Sequence, residues 1–549
     1  MKDRFILFDS DSLKSFHKRI FFSIILFSFL YFIAIYRISD IMIFNDIQYK
    51  EVKSHNLDYR GKIYDRNYNL LAATISSTSL SANPNKIKNK KIIINKLSKI
   101  LNLDKKFLNK KFSQKNNFVW IKRNISPLQH KKIIDIGEIN LNFHNEKKRV
   151  YPFQNAASHI VGYVDIDQIG QAGIERSYNN KLNQLKDIKL TLDIKLQQSV
   201  REKLKKTVDL YKAESGLAIV VDMQNGEVLA SVSLPDFNPN IKSTYNNNNL
   251  INRVIQSNYE MGSTFKPITV AMGFDKNLLN SDMRFDVTES INGISDYNDY
   301  KGNGIYDIEK IIVESSNIGA AKIATLIGRE NQIDFFKKIS FFNKLNFEIL
   351  ETAKPLGNKY NWGNVETMTI GYGHGFAVTP LHLLKAYISI SKGYEISPTI
   401  IHDDIKIKEK NLIVKKETSE YFLKLLRSVI TKTKFTGPRV EIEGYNIGGK
   451  TGTAVLVKET GGYYSDRDLT SFIGVFPFNK PKYAVLTILE YPKKIPGSKL
   501  KTTGAVVNAP LVKEIILDMI NILNIPKEKP KNSLKADINN IYRKNNATL

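Results

Sequence analysis

Gly444-Tyr445-Asn446-Ile447-Gly448-Gly449-Lys450-Thr451-Gly452-Thr453-Ala454-Val455-Leu456-Val457 admits two incompatible folds. Its opening, through Thr451, satisfies the phosphate-binding pattern GxxxxGK[ST] letter for letter. A loop of that kind requires a helix after the lysine, because the first helical amides cradle the phosphate. The residues after Lys450 are instead β-branched and broken by Gly452, which predicts a strand. On a strand, Lys450, Thr451 and Thr453 offer a cation and two hydroxyls to a carboxylate, and Gly452 lets a substrate backbone approach closely.

Upstream residues favour the strand. Residues 217–223 and 228–233 are β-rich runs joined through Gln224-Asn225-Gly226, where Asn-Gly accepts the positive φ of a tight turn. A second pair of runs, 472–476 and 483–489, is separated by a loop containing proline. Between the pairs lies a long, mostly helical stretch. Helices inserted between strands of one antiparallel sheet predict an α+β domain. Residues 510–523 read as a final amphipathic helix with Pro510 in its first turn.

The helical stretch carries Ser263-Thr264-Phe265-Lys266 and Ser315-Ser316-Asn317. Serine needs a base to act as a nucleophile, and a lysine three positions later lies one helical turn away on the same face. Gly262 permits a sharp entry into that helix, and Pro267 is tolerated in its first turn. Lys266 can act as a base only if partly neutral, which desolvation or a nearby cation such as Lys450 would achieve. Ser315 is placed to relay a proton and Asn317 to orient an acyl donor. Backbone N–H groups of Ser263 and Thr453 are the expected oxyanion hole.

Each string alone is weak. Ser15-Phe16-His17-Lys18, Ser389-Ile390-Ser391-Lys392 and Ser498-Lys499-Leu500-Lys501 repeat the first, and Ser81-Ala82-Asn83 repeats the second.

Composition removes rivals. Without cysteine the chain has no thiol nucleophile, disulfide or thiolate metal site. Its 8 histidines show no HExxH spacing, and no metal or cofactor is expected. The net charge of +27 invites a nucleic-acid reading, but the lysines are spread along the chain among abundant Asn and Ile, with no compact basic motif. No nucleic-acid partner is expected. Residues 20–36 carry no charge and, as a helix, cover roughly 25 Å of bilayer. Lys14, Lys18 and Arg19 precede this segment, which predicts a cytoplasmic amino terminus and an extracytoplasmic remainder. No A-x-A cleavage site comes after it, so the helix is read as a retained anchor.

Taken with their flanks, the motifs resemble a known family. Tyr259-Glu260-Met261-Gly262-Ser263-Thr264-Phe265-Lys266-Pro267, Ser315-Ser316-Asn317-Ile318-Gly319-Ala320, Gly371-Tyr372-Gly373-His374-Gly375-Phe376-Ala377-Val378-Thr379-Pro380 and Gly449-Lys450-Thr451-Gly452-Thr453 resemble class B penicillin-binding proteins, most of all the FtsI-type septal transpeptidase. Arg60-Gly61-Lys62-Ile63-Tyr64-Asp65-Arg66-Asn67, Tyr151-Pro152, the segment 170–176 and residues 230–240 resemble that family's pedestal and early transpeptidase segments.

The resemblance implies a cytoplasmic tail (1–19), a transmembrane anchor (20–44), an elongated mixed pedestal or dimerisation-type domain (45–205), a transpeptidase domain (206–525) with a central antiparallel sheet flanked by helices, and a disordered tail (526–549). It implies that Ser263 takes an acyl group from the penultimate D-Ala of a stem pentapeptide, with Lys266 as base and Ser315 and Asn317 as relay and positioning pair. Lys450, Thr451, Gly452 and Thr453 would form the carboxylate-binding strand. β-Lactams would acylate the same serine. The implied partners are peptidoglycan stem peptides, a SEDS-type glycosyltransferase and other divisome proteins, at the inner membrane with the catalytic domain in the periplasm. An elongation-specific transpeptidase, a β-lactam sensor, a serine β-lactamase, a non-catalytic division scaffold and a P-loop protein are the alternative readings.

Overall fold

The structure, a computed structural model, describes residues 10–39, 60–291, 304–357, 362–402, 411–458 and 462–528. It forms two compact units, residues 1–59 and 60–549. In the first, a helix spans Ser10–Ser39 and its apolar segment Lys14–Arg37 is exposed. At about 1.5 Å per residue this segment exceeds the roughly 30 Å of a hydrocarbon core. Among the described residues it is the one helix long and apolar enough to cross a membrane. Residues 40–44 of the expected anchor, and the expected tail beyond 528, lie outside the described residues.

The second unit is organised around two sheets. In the amino-terminal sheet the long strand Leu70–Ala82 pairs antiparallel along its length with Leu141–Val150 and, at its far end, with Val119–Ile125. At its near end it pairs with Ile63–Tyr64, which runs parallel to Ile188–Lys189. The sheet therefore joins two cores. The far core is made by helices Lys90–Leu101, Lys105–Phe112 and Pro127–Ile134. The near core, with Ile63, Leu71 and Ile174, is continuous with that of the rest of the chain. The expected boundary at 205/206 falls inside helix Ile194–Tyr211, which packs on the central sheet.

The lysines are less evenly spread than composition suggests. Residues 83–140, which build the far core, hold fourteen Lys and one Arg against two Asp and one Glu, a net of +12.

Arg60 and Glu175 of the segment 170–176 meet in a buried ion network. Arg60 Nε donates to Glu175 Oε2 at 2.6 Å and Arg149 Nε to Glu175 Oε1 at 2.7 Å. Arg60 also binds Asn179, Asn183 and the carbonyls of Gln168 and Glu175. All three charged side chains are 2% exposed or less. Asp65 closes the next turn by accepting from the Asn67 and Asn69 amides at 2.8 and 2.7 Å.

The central sheet is antiparallel throughout. Its strand order is Gly448–Val457, Tyr463–Phe476, Tyr483–Glu490, Ser215–Asp222, Val228–Leu234. Helices Ile194–Tyr211 and Gly504–Ile522 pack together against it. A second group, Lys266–Asp275, Pro380–Lys392 and Lys416–Lys432, packs together and touches the strands Gly448–Val457 and Tyr483–Glu490. Covered on both faces, Ser215–Asp222 and Val228–Leu234 read as continuous apolar runs and not as alternation.

Two local expectations are corrected, and the strand expected at Lys450 is present. The Gln224-Asn225-Gly226 connection is longer than a two-residue turn: Gly226 N–H bonds Asp222 O at 2.9 Å, and φ is positive at Gly226 (82°) but not at Asn225. The final helix begins at Gly504, six residues before Pro510, which therefore sits in its interior. Proline removes the N–H that would serve Val506 O, and Tyr211 supplies a replacement donor at 3.3 Å. Lys450 and Thr451 lie within a strand with no helix after them, which excludes the phosphate-loop reading.

Candidate active site

The serine turn forms because Gly262 adopts φ +53°, a left-handed conformation that other residues take with strain. A 3₁₀ turn, Gly262–Thr264, then leads into helix Lys266–Asp275, with Pro267 in the first helical turn. The helix thus starts later than expected. Three-residue spacing still serves the site, since side chains at i and i+3 eclipse on a 3₁₀ turn. A Cβ on Gly262 would come within 2.9 Å of Thr453 O, so glycine also lets the serine turn press against the sheet edge.

Ser315 arrives from a different segment. It lies between helices Ile308–Val313 and Asn317–Ile327 with φ +60°. A non-glycine residue held there stores backbone strain, a property that clusters at functional sites. Ser316 caps the second helix by accepting from the Gly319 amide at 3.0 Å, which fixes Asn317 at its first turn.

Ser315 Oγ is the centre of the arrangement. It donates to Ser263 Oγ at 2.9 Å and accepts from Lys266 Nζ at 3.2 Å and from Lys450 Nζ at 3.1 Å. One hydroxyl has one proton and two lone pairs, and all three are used. Lys266 Nζ also binds Ser315 O, and Lys450 Nζ binds Thr451 O at 3.0 Å. Both lysines are at most 1% exposed. Two ammonium groups on one buried hydroxyl repel, so the arrangement favours one neutral amine.

Burial pushes Lys450 down to about 7. The unfolded lysine keeps its proton up to about 10.4. Between these values the unfolded chain binds the extra proton, so this group makes stability rise with pH over that window. Lys450→Met removes the contribution. Melting temperatures of the two proteins from pH 7 to 10 should show a shallower rise for the variant.

The site opens into a cavity of about 540 Å³ lined by Ser263, Ser315, Asn317, Lys450, Thr451 and Thr453 together with Glu314, Tyr372, His374, Asp468, the 432–436 segment and residues 503–505. Along the edge strand Lys450, Thr451, Thr453, Ala454 and Val455 line it. Gly452 does not. It is buried, and a Cβ there would meet Ser471 Oγ at 2.4 Å and Met261 O at 3.1 Å. The close approach it allows is that of the serine turn, which corrects the substrate-approach reading.

Several lining residues carry no role legible from sequence. His374 comes directly after the positive-φ Gly373 and is pushed down to about 4, by burial first and neighbouring Lys266 second. At neutral pH it is an uncharged imidazole on the cavity wall. Glycines spaced around it in Gly371-Tyr372-Gly373-His374-Gly375 are the one signal the sequence offers.

The fold agrees with comparisons to known proteins. Residues 216–517 match the model for the penicillin binding protein transpeptidase domain, and residues 57–208 match that for the penicillin-binding protein dimerisation domain. A "Probable peptidoglycan D,D-transpeptidase PenA" of Neisseria meningitidis is 28% identical over 505 residues, covering 86% of each chain. The "Probable peptidoglycan D,D-transpeptidase FtsI" of Caulobacter vibrioides is 27% identical over 489 residues, covering 85% of this chain and 82% of its own. A peptidoglycan synthetase from Bifidobacterium adolescentis has the same fold, with a TM-score of 0.66 at 20% identity over 86% of this chain and 96% of its own. The chain belongs to the penicillin-binding protein transpeptidase family, as a class B member of the FtsI type.

Proposed function

We propose that this protein is a membrane-anchored peptidoglycan D,D-transpeptidase that crosslinks stem peptides at the division septum through an ester on Ser263, and that β-lactams acylate the same oxygen. The observation that carries this reading is the Ser315 hydroxyl, which touches Ser263 Oγ and both lysine amines. Neutral Lys266 takes the Ser263 proton, directly or through Ser315, as Oγ attacks the carbonyl of the penultimate D-Ala. Charge on the carbonyl oxygen is met by the N–H groups of Ser263 and Thr453. The C–N bond breaks and Ser315 returns the proton to the departing D-Ala amine. The donor carboxylate draws a proton onto Lys450, which with Thr451 and Thr453 then holds it, and Asn317 orients the donor amide. A second stem peptide's amine then attacks the ester, forming the crosslink and releasing Ser263.

Residues 45–205 serve as pedestal and 206–525 as catalytic domain, with the amino terminus cytoplasmic, the catalytic domain periplasmic, and glycan polymerisation left to a SEDS-type partner within the divisome. Purified full-length protein incubated with a pentapeptide ending in D-Ala-D-Ala and an amine acceptor should release one D-Ala per new amide. Release without any amide product would point to a hydrolase, and no release would overturn the reading. Cells depleted of the protein should grow as filaments, whereas rounding would assign it to elongation.

A further inference from the structure

Glu260 has no part in the acyl-transfer chemistry, yet three segments that build the site converge on it. It lies in the short strand Tyr259–Glu260, three residues before the nucleophile, paired antiparallel with Ala377–Val378. Its carboxylate accepts from the Gly375 amide at 3.0 Å and from Tyr463 OH at 3.1 and 3.0 Å, and lies 3.9 Å from His374 Nδ1. Its side chain is only 9% exposed. Gly375 and His374 belong to the loop on the cavity wall. Tyr463 opens the strand Tyr463–Phe476, where it pairs with Val457 of the edge strand.

The serine turn, the loop and the edge strand with which Tyr463 pairs touch at Gly262. Its amide donates to Gly373 O at 3.1 Å, and there is no room for a side chain between it and Thr453 O. Gly373 is equally tight, since a Cβ there would lie 2.2 Å from Gly262 O. The serine turn is thus wedged between loop and edge strand at one point and tied, by one carboxylate two residues earlier, to the loop and to the edge strand's hairpin partner. Burial raises Glu260 toward its neutral form, and the Tyr463 and Gly375 donors oppose that.

We propose that Glu260 is a positioning residue that clasps the 371–375 loop and the edge-strand hairpin to the serine turn, fixing the Ser263–Thr453 separation on which oxyanion stabilisation depends. This rests on Ser263 being the acylated oxygen. Reacting groups displaced by about 1 Å lose on the order of 10²-fold in rate, so a loosened clasp shows in the chemical step and not in the encounter.

The test uses full-length protein and a fluorescent penicillin, resolving the noncovalent dissociation constant from the first-order acylation constant, with melting temperature measured alongside. Wild type must acylate; if it does not, the transpeptidase function itself fails and not the clasp alone. Glu260→Ala should lower the acylation constant about tenfold or more with the dissociation constant and melting temperature little changed. Glu260→Gln, which keeps one acceptor oxygen, should recover part of the loss. Tyr463→Phe should give a smaller loss that fails to add to that of Glu260→Ala, since both cut one interaction. If Glu260→Ala does not fold, Tyr463→Phe and Glu260→Gln carry the test. An unchanged acylation constant in the folded variants, additive losses, or a loss that tracks melting temperature and vanishes on cooling would overturn the proposal.

Discussion

Lys266→Met slows acylation of Ser263 by about 10²–10⁴-fold, the range expected for loss of a general base. The variant should nevertheless fold at least as stably as the wild type. Lys266 is fully buried at the start of its helix, held there by Ser315 O and Ser315 Oγ. Burying an amine is unfavourable in itself, and the thioether of Met fills similar volume without polar demand. A rate loss joined to a stability gain identifies a residue kept for chemistry. Lys266→Arg should not restore the rate, because a guanidinium keeps its proton at any pH the fold survives. Stopped-flow acylation and thermal melts on the same preparations read both quantities.

Glu175→Ala has the opposite signature. It leaves Arg60 and Arg149, both almost wholly buried, without the carboxylate that bridges them. Removing one partner of a buried ion pair costs about 3–5 kcal/mol, a large part of the stability of an ordinary domain. The protein should melt far below the wild type and accumulate poorly. Whatever fraction stays folded should acylate normally, since Glu175 does not line the cavity. Replacing Arg60, Arg149 and Glu175 together with apolar residues of similar volume should recover much of the loss, because no charge is then stranded. A melting temperature unmoved by Glu175→Ala would show that the triad is not a structural tie.

The contrast between these two residues explains what sequence could disclose. That Ser263, Lys266, Ser315 and Lys450 meet at one place was legible because they lie in short strings whose order along the chain is restrictive. The edge strand was legible because β-branched residues and Gly452 after Lys450 rule out a helix. The Arg60–Glu175–Arg149 network was not, since Glu175 lies 115 residues from Arg60 and 26 from Arg149 and no local pattern links them. Ser315 gave no sign of its left-handed backbone, which nothing short of glycine advertises. Pro510 misled because proline is usually read as a helix start, and the Tyr211 hydroxyl that permits it inside the helix comes from a distant segment. Gly452 was assigned its close approach correctly but the wrong visitor, as packing partners belong to tertiary structure alone.

The most direct test is to treat full-length protein with a fluorescent penicillin, digest it and locate the adduct by mass. A single penicilloyl group on the peptide containing Ser263, lost completely in Ser263→Ala, is the predicted result. No adduct on wild type, or an undiminished one in Ser263→Ala, would contradict the serine acyl-transfer account.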